Sequence, residues 1–187
     1  QEMARVRKGE ITFYNLDGDE IEKELKTVEW DAEAAEKAGY EHFMIKEIHE
    51  QPKAVSDTLN SVVKDGAIDL SEVGLSEEEI KEISQIYIVA CGSAYHVGVA
   101  AQYVMEDLAR IPVRVELASE FRYRNPILDP KGLVIIISQS GETADSLAAL
   151  RESKKQGVKT LGIVNVIGSS IAREADNVFY TLAGPEI

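Results

Sequence analysis

Cysteine is almost missing from this 187-residue sequence: Cys91 is the only one. A single thiol excludes an internal disulfide framework and a multi-cysteine metal site, and it fits a reducing compartment, so the expected location is cytoplasmic. Positive charge is also scarce. Twenty Lys and Arg stand against 33 Asp and Glu, a formal net charge of −13, which repels nucleic acid and anionic membranes alike. Neither is an expected partner. Long apolar runs are absent too, none approaching the roughly 20 residues of a membrane helix, and Gln1-Glu2-Met3-Ala4-Arg5 lacks the apolar core of a signal peptide. The chain therefore reads as soluble and unsecreted. What it does have is enough apolar material for a core, 44% of residues, on a length that suits one ordinary domain plus an appendage.

The appendage comes first. Short alternating bursts at residues 4–7 and 11–14, with turn chemistry at Asp17-Gly18-Asp19, predict a small β-hairpin. Two strands alone bury too little to be stable, so the hairpin is expected to lean on something else. From Asp31 the pattern turns helical. A longer amphipathic segment over residues 42–63 places Ile45, Ile48, Val55, Leu59 and Val62 at helical spacings, and Pro52 is expected to kink or restart it. After Asp65-Gly66, an acidic helix over residues 76–82 begins with Ser76 as cap and Glu78 and Glu79 in its first turn.

The remainder alternates apolar runs with helical segments. Runs at residues 86–90, 113–117, 133–137, 160–164 and 178–181 predict five strands. Continuous Val/Ile runs mark strands buried on both faces, and intervening helices of ten or more residues imply a parallel sheet covered on both sides. The expected fold is therefore α/β: a doubly wound five-stranded parallel sheet, preceded by a β-hairpin and a helical lead-in. Ligands of such sheets bind beyond the carboxyl ends of the strands, where loops enter helices.

Two loops meet that condition. The first, Cys91-Gly92-Ser93-Ala94-Tyr95-His96, leads into a helix through Val97, Ala100, Val104 and Leu108. Its small residues allow backbone to approach a ligand. Gly92 and Gly98 lack the spacing of a dinucleotide fingerprint, which disfavours a nicotinamide or flavin cofactor. The second loop, Ser138-Gln139-Ser140-Gly141-Glu142-Thr143, packs three hydroxyls into six residues just before the apolar positions Leu147 and Leu150. Unpaired N–H groups and the partial positive charge of a helix start, with the hydroxyls of Ser138, Ser140 and Thr143, can wrap a phosphate without lysine. A nucleotide-hydrolysing P-loop would need Lys and then Ser or Thr after the last glycine, and this loop has neither in place.

Plainer roles stand beside each of these. Ser140 can equally be a helix N-cap with Glu142 on the dipole. Cys91 reads more readily as a small buried hydrophobe than as a nucleophile, since only His96 is basic nearby. His96 reads as a packing or solvent-facing helix residue, and His42 and His49 as structural or surface groups without a zinc-ligand arrangement. Glu120, Arg122 and Arg124 can form a solvated ion-pair face or an interface.

Taken together, Cys91 to His96, the string Leu-Ala-Ser-Glu-Phe-Arg-Tyr-Arg over residues 117–124, and Ser-Gln-Ser-Gly-Glu-Thr-Ala-Asp over residues 138–145 resemble the isomerase half of the glucosamine-6-phosphate synthase family in order and spacing. His49-Glu50-Gln51-Pro52 resembles the opening of that half, and Asn165-Val166-Ile167-Gly168-Ser169-Ser170 resembles a later loop. The resemblance implies a sugar isomerase (SIS) domain over residues 71–187, the remnant of a glutaminase domain over 1–20, and a linker with helical lead-in over 21–70. It places Ser138, Gln139, Ser140 and Thr143 on a sugar phosphate and Cys91, Gly92 and Ser93 along the sugar. Where the family often has Thr-Ser this chain has Ser93-Ala94, which removes one hydroxyl.

The resemblance implies no catalytic residue in this chain, no metal and no redox cofactor. The family combines glutamine and fructose 6-phosphate into glucosamine 6-phosphate for hexosamine synthesis. The cysteine nucleophile of its glutaminase domain and the acid/base residues of its second SIS domain have no counterpart here, so the chain is expected to bind fructose 6-phosphate or glucosamine 6-phosphate without converting it. Implied partners are the missing glutaminase and second SIS domains and a second copy in a homodimer. Two other functions are open: a stand-alone SIS sensor of sugar phosphates within a regulator, and a small oligomeric sugar-phosphate isomerase using His96, Glu120 or Glu142.

Overall fold

The computed structural model describes residues 2–24 and 36–185. The chain divides into two compact units, Gln1–Asp31 and Ala32–Ile187. The first is a three-stranded antiparallel sheet of β1 (Met3–Arg7), β2 (Glu10–Tyr14) and β3 (Glu20–Ile21). Lys8 and Gly9 close the hairpin, since Arg7 pairs with Glu10. The Asp17-Gly18-Asp19 turn instead leads from β2 into β3, which the sequence pattern did not predict. Asn15 builds that turn, its side-chain oxygen accepting from the Asp17 and Asp19 amides at 3.0 and 2.9 Å.

In the second unit, the helix predicted from Asp31 lies in part outside the described residues, and its described part, 36–42, is turn and bend. Helix α1 (Phe43–Asn60) runs through Pro52 without restarting. A proline there removes one N–H from the ladder, a local loss that the turns on either side absorb. Its apolar stripe is largely uncovered, with Val55 67% and Leu59 55% exposed. Strands β4 (Val63–Lys64) and β5 (Ala67–Ile68) make a minimal hairpin around Asp65-Gly66. Helix α2 (Glu77–Glu82) starts with a full capping box: Ser76 accepts from the Glu79 amide, and the Glu79 carboxylate accepts from the Ser76 amide.

The main sheet follows. Its strands are β6 (Gln85–Ala90), β7 (Val113–Leu117), β8 (Gly132–Ser138), β9 (Lys159–Val164) and β10 (Asn177–Tyr180), in the spatial order β10-β9-β8-β6-β7. All neighbours are parallel. Between them lie α3 (Gly92–Ala109), α4 (Ala118–Tyr123), α5 (Ala144–Lys155) and α6 (Ser170–Glu174).

The unbroken apolar runs feed two cores by strict alternation. Tyr87, Val89, Val134 and Ile136 point to one face, where Phe121 of α4, Leu150 of α5 and Ile171 of α6 cover them. Ile86, Ile88, Leu133 and Ile135 point to the other, under Ala101 and Met105 of α3 and the segment carrying Val73 and Leu75. Full burial of each large aliphatic side chain contributes about 1.5–3 kcal/mol. Helix α3 meets the sheet through small residues: a β-carbon at Gly98 would fall 2.8 Å from Ile88 Cγ2. The stripe singled out in the sequence, Val97, Val104 and Leu108, is the opposite side and is 57–78% exposed.

Candidate functional site

The chain starts the sheet at β6, adds β7 on one side, and then crosses to place β8 on the other. That reversal leaves a crevice at the carboxyl ends of β6 and β8, the position at which doubly wound sheets bind ligands. The loop after β6 begins with Cys91, and the loop after β8 is residues 139–143, so both loops chosen from the sequence share this one spot. Ser146 of α5 joins them, its hydroxyl facing the Cys91 sulfur at 3.8 Å.

The second loop is knotted by its own hydroxyls. Ser138, buried at the end of β8, accepts from the Gly141 amide at 3.1 Å and shares a hydrogen bond of 3.1 Å with the Thr143 hydroxyl. Ser140 accepts from the Glu142 amide at 3.3 Å. The N-cap of α5 is Thr143, without a side-chain cap bond, so Ser140 is not the cap of that helix. Gln139 and Ser140 are exposed, facing outward from a loop whose shape Ser138 holds. Gly141 turns the chain at φ +66°, a left-handed conformation that glycine adopts without steric cost.

A further loop braces this one and went unassigned in the sequence. The Asn165 amide donates to the Gln139 carbonyl at 2.9 Å, and the Ile171 amide to the Gly141 carbonyl at 3.0 Å. The Ser170 amide donates to Glu142 Oε1 at 2.7 Å. Hydrogen bonds from Ser170 hold the Glu142 carboxyl below its ordinary value. A carboxylate so committed is a weak base, which suits positioning better than proton abstraction.

On the first loop, Cys91 caps α3 in an extended conformation and is half-buried, while Gly92 and Ser93 are exposed at the helix start. His96 is exposed, with its ring edge-on to Tyr95. Of the charged residues after β7, Arg122 pairs with Asp145 at 2.5 Å and Arg124 with Glu116. They form ion pairs on the described surface. Among the described residues no group of three or more His, Cys, Asp or Glu could hold a metal ion, and no described helix is long and apolar enough to cross a membrane.

The SIS domain family model matches residues 79–187, well over half of the chain. The chain belongs to the SIS domain family. The match takes in the sheet of this SIS domain and both loops of the crevice. It is 57% identical over 178 residues to a glutamine–fructose-6-phosphate aminotransferase [isomerizing] of Clostridium acetobutylicum, covering 95% of this chain and 29% of that relative. The corresponding protein of Caldanaerobacter subterraneus is 56% identical over all 187 residues, 31% of its length. The chain thus spans under a third of the curated relatives it matches. Among solved structures, the C-terminal domain of glucosamine-fructose-6-phosphate aminotransferase from Francisella tularensis superposes with a TM-score of 0.76 at 47% identity, over 81% of this chain and 43% of that one. A phosphosugar isomerase of Silicibacter pomeroyi, so named provisionally, superposes with a TM-score of 0.64 at 27% identity, over 76% and 42%.

Beside the phosphate-loop candidate, the second unit carries a cleft of about 200 Å³. Gln139 and Asn165 form one side of it with residues 183–185, and Glu50 and Gln51 of α1 form part of the other. Sequence reasoning missed this cleft, because its α1 residues lie 85 or more positions before the rest of its lining. The sequence signals for it were Gln139, placed on the phosphate, and the strings His49-Glu50-Gln51-Pro52 and Asn165 to Ser170, quoted for their resemblance and given no role.

Proposed function

We propose that this SIS domain is the phosphosugar-binding part of a glutamine–fructose-6-phosphate aminotransferase, holding fructose 6-phosphate or glucosamine 6-phosphate by its phosphate while other domains of that enzyme supply the chemistry. The observation that carries the proposal is the cluster of Ser138, Ser140, Gly141 and Thr143 at the start of α5, in the crevice between β6 and β8. Gln139, Ser140 and the backbone amides of the loop contact the phosphate, Thr143 adds a hydroxyl, and Ser138 keeps the loop in shape. The start of α5 supplies unpaired N–H groups and a partial positive charge where the dianion sits. Cys91, Gly92 and Ser93, across the crevice, line the sugar.

In the whole enzyme, ammonia from glutamine adds at the C2 carbonyl of fructose 6-phosphate, and isomerisation from ketose to aldose gives glucosamine 6-phosphate for hexosamine synthesis. The phosphate takes no part in bond making. Its binding energy orients C1 and C2 for proton transfer, which is how a remote group contributes to rate. This chain's share is that anchor, with no catalytic residue of its own and no cofactor. Residues 1–20 then belong to the glutaminase domain, 21–70 to the linker, and 71–187 to the first SIS domain of a cytoplasmic homodimer. The close likeness to the aminotransferases over nearly the full chain supports this choice among SIS proteins.

The experiment is a titration of the chain with fructose 6-phosphate and, in parallel, with fructose, following backbone amide signals. The amides of residues 139–143 shift with the phosphorylated sugar and stay unmoved with fructose. Equal responses to both sugars, or none at millimolar concentration, would overturn the proposal.

A further inference from the structure

Asn165 is buried at the carboxyl end of β9 and uses every hydrogen-bonding atom of its side chain on one segment. Its Nδ2 donates to the Gly184 carbonyl at 2.7 Å, and its Oδ1 accepts from the Ala183 amide at 3.0 Å and the Thr181 hydroxyl at 3.2 Å. Its own amide meanwhile donates to the Gln139 carbonyl at 2.9 Å. One residue therefore ties the loop after β8 to the segment after β10, two stretches that otherwise leave the sheet independently. Leu182, between the anchored residues, is tied from the other side, its amide donating to the Thr58 hydroxyl of α1 at 2.9 Å.

The segment so held is a wall. With Gln139 it forms one side of the cleft whose far side carries Glu50 and Gln51. A volume of about 200 Å³ is below the roughly 300–1,000 Å³ of sites for drug-sized ligands, and suits part of a small, hydroxyl-rich molecule. The Glu50 carboxylate and the Gln51 and Gln139 amides in the cleft lining can accept from and donate to sugar hydroxyls.

Resting on the phosphosugar role proposed above, we propose that Asn165 is a positioning residue: by clamping residues 181–184 beside Gln139 it forms the wall that recognises the sugar of a bound sugar phosphate, as distinct from its phosphate. The clamp does not touch the phosphate loop's hydroxyls. Its loss therefore separates two affinities that a collapse of the loop would lower together. Asn165→Asp keeps the oxygen that accepts from Ala183 and Thr181 but sets a second oxygen against the Gly184 carbonyl. Asn165→Ala removes all three bonds, and Thr181→Val removes one with little change of shape.

The test uses the 187-residue chain and its three variants, titrated with fructose 6-phosphate and with inorganic phosphate, each variant first checked by thermal melting. We expect Asn165→Ala and Asn165→Asp to weaken fructose 6-phosphate by roughly tenfold, the worth of one or two buried hydrogen bonds. Inorganic phosphate binding should change by less than about twofold, and Thr181→Val should give a smaller loss of the same kind. An unchanged ratio of the two affinities in all folded variants overturns the clamp and leaves the phosphate seat standing. If Asn165→Ala fails to fold, Asn165→Asp and Thr181→Val decide on the same ratio. A wild-type chain that binds neither ligand overturns the phosphosugar role and this proposal with it.

Discussion

Ser169 occupies the space that any side chain at Gly141 would need: a β-carbon on residue 141 would lie 2.1 Å from Ser169 Oγ and 2.5 Å from its Cβ. Gly141→Ala therefore combines a positive φ with an overlap, each of which costs about 1–3 kcal/mol. We expect a clear drop in melting temperature and loss of phosphate binding. The two costs separate experimentally. Adding Ser169→Gly to Gly141→Ala recovers the overlap portion and leaves the conformational one, whereas Ser169→Ala recovers little because its β-carbon still intrudes. Ser169→Ala alone is expected to be neutral or slightly stabilising, since its hydroxyl is buried without a hydrogen-bond partner among the described residues.

Ser138 and Ser140 should fail in different ways. Ser138→Ala strips the buried Gly141 amide and the Thr143 hydroxyl of a shared partner, so stability falls by about 1–3 kcal/mol and ligand binding falls with it. Ser140 is exposed. Its replacement by Ala should leave stability within about 0.5 kcal/mol of wild type and weaken sugar-phosphate binding alone. Calorimetric melting and ligand titration on the two variants check this, and matching behaviour would contradict the division of roles.

Salt should act in the unusual direction. Residues 138–143 contain no cation, while the chain as a whole carries −13. A dianionic ligand thus gains from short-range amide and hydroxyl donors against a long-range repulsion. Raising ionic strength shortens the Debye length from about 30 Å at 0.01 M to about 8 Å at 0.15 M, which screens the repulsion first. Affinity for fructose 6-phosphate should hold or rise over that range. A steep fall, as at a lysine-based site, would count against the proposed seat.

Acid should unfasten helix α2 from the sheet. Glu79 bonds Lys159 of β9 and the Ser76 amide, and these interactions lower its carboxyl from 4.5 to about 2. A depressed folded-state value means the stabilisation is complete above the unfolded value and is lost as pH falls from about 4.5 towards 2. Glu79→Gln retains the capping-box geometry without the charge. The gap in melting temperature between wild type and Glu79→Gln should be largest near neutrality and vanish near pH 2; a gap that does not depend on pH would refute the assignment.

The strands were legible because apolar content alone marks a strand buried on both faces: 133–137 in the sequence pattern became Gly132–Ser138 in the fold. The two crevice loops were legible for a related reason, since small and hydroxyl residues stood where those strands had to end. Helix α3 shows the limit. Periodicity favoured Val97, Val104 and Leu108, yet Gly98, Ala101 and Met105 meet the sheet. A helix apolar on two sides does not reveal by spacing which side packs, and here the small residues that permit close approach were the better sign. Strand β3 has two residues, too few to alternate. The Asn165 clamp was invisible because its meaning depends on β9 and β10 ending side by side, a fact of topology and not of composition.

Two of the three braces on the phosphate loop are main chain to main chain, Asn165 to Gln139 and Ile171 to Gly141. Val166 and Ile167, between them, lend no side chain to those bonds, and Ile167 is 60% exposed. From the 165–171 side, the bracing of the proposed seat therefore runs largely through peptide groups, which every residue but proline carries in full. Side chains at 166 and 167 can change in size and polarity without removing either bond, so the sequence of this stretch is freer to vary than the shape of the loop it braces.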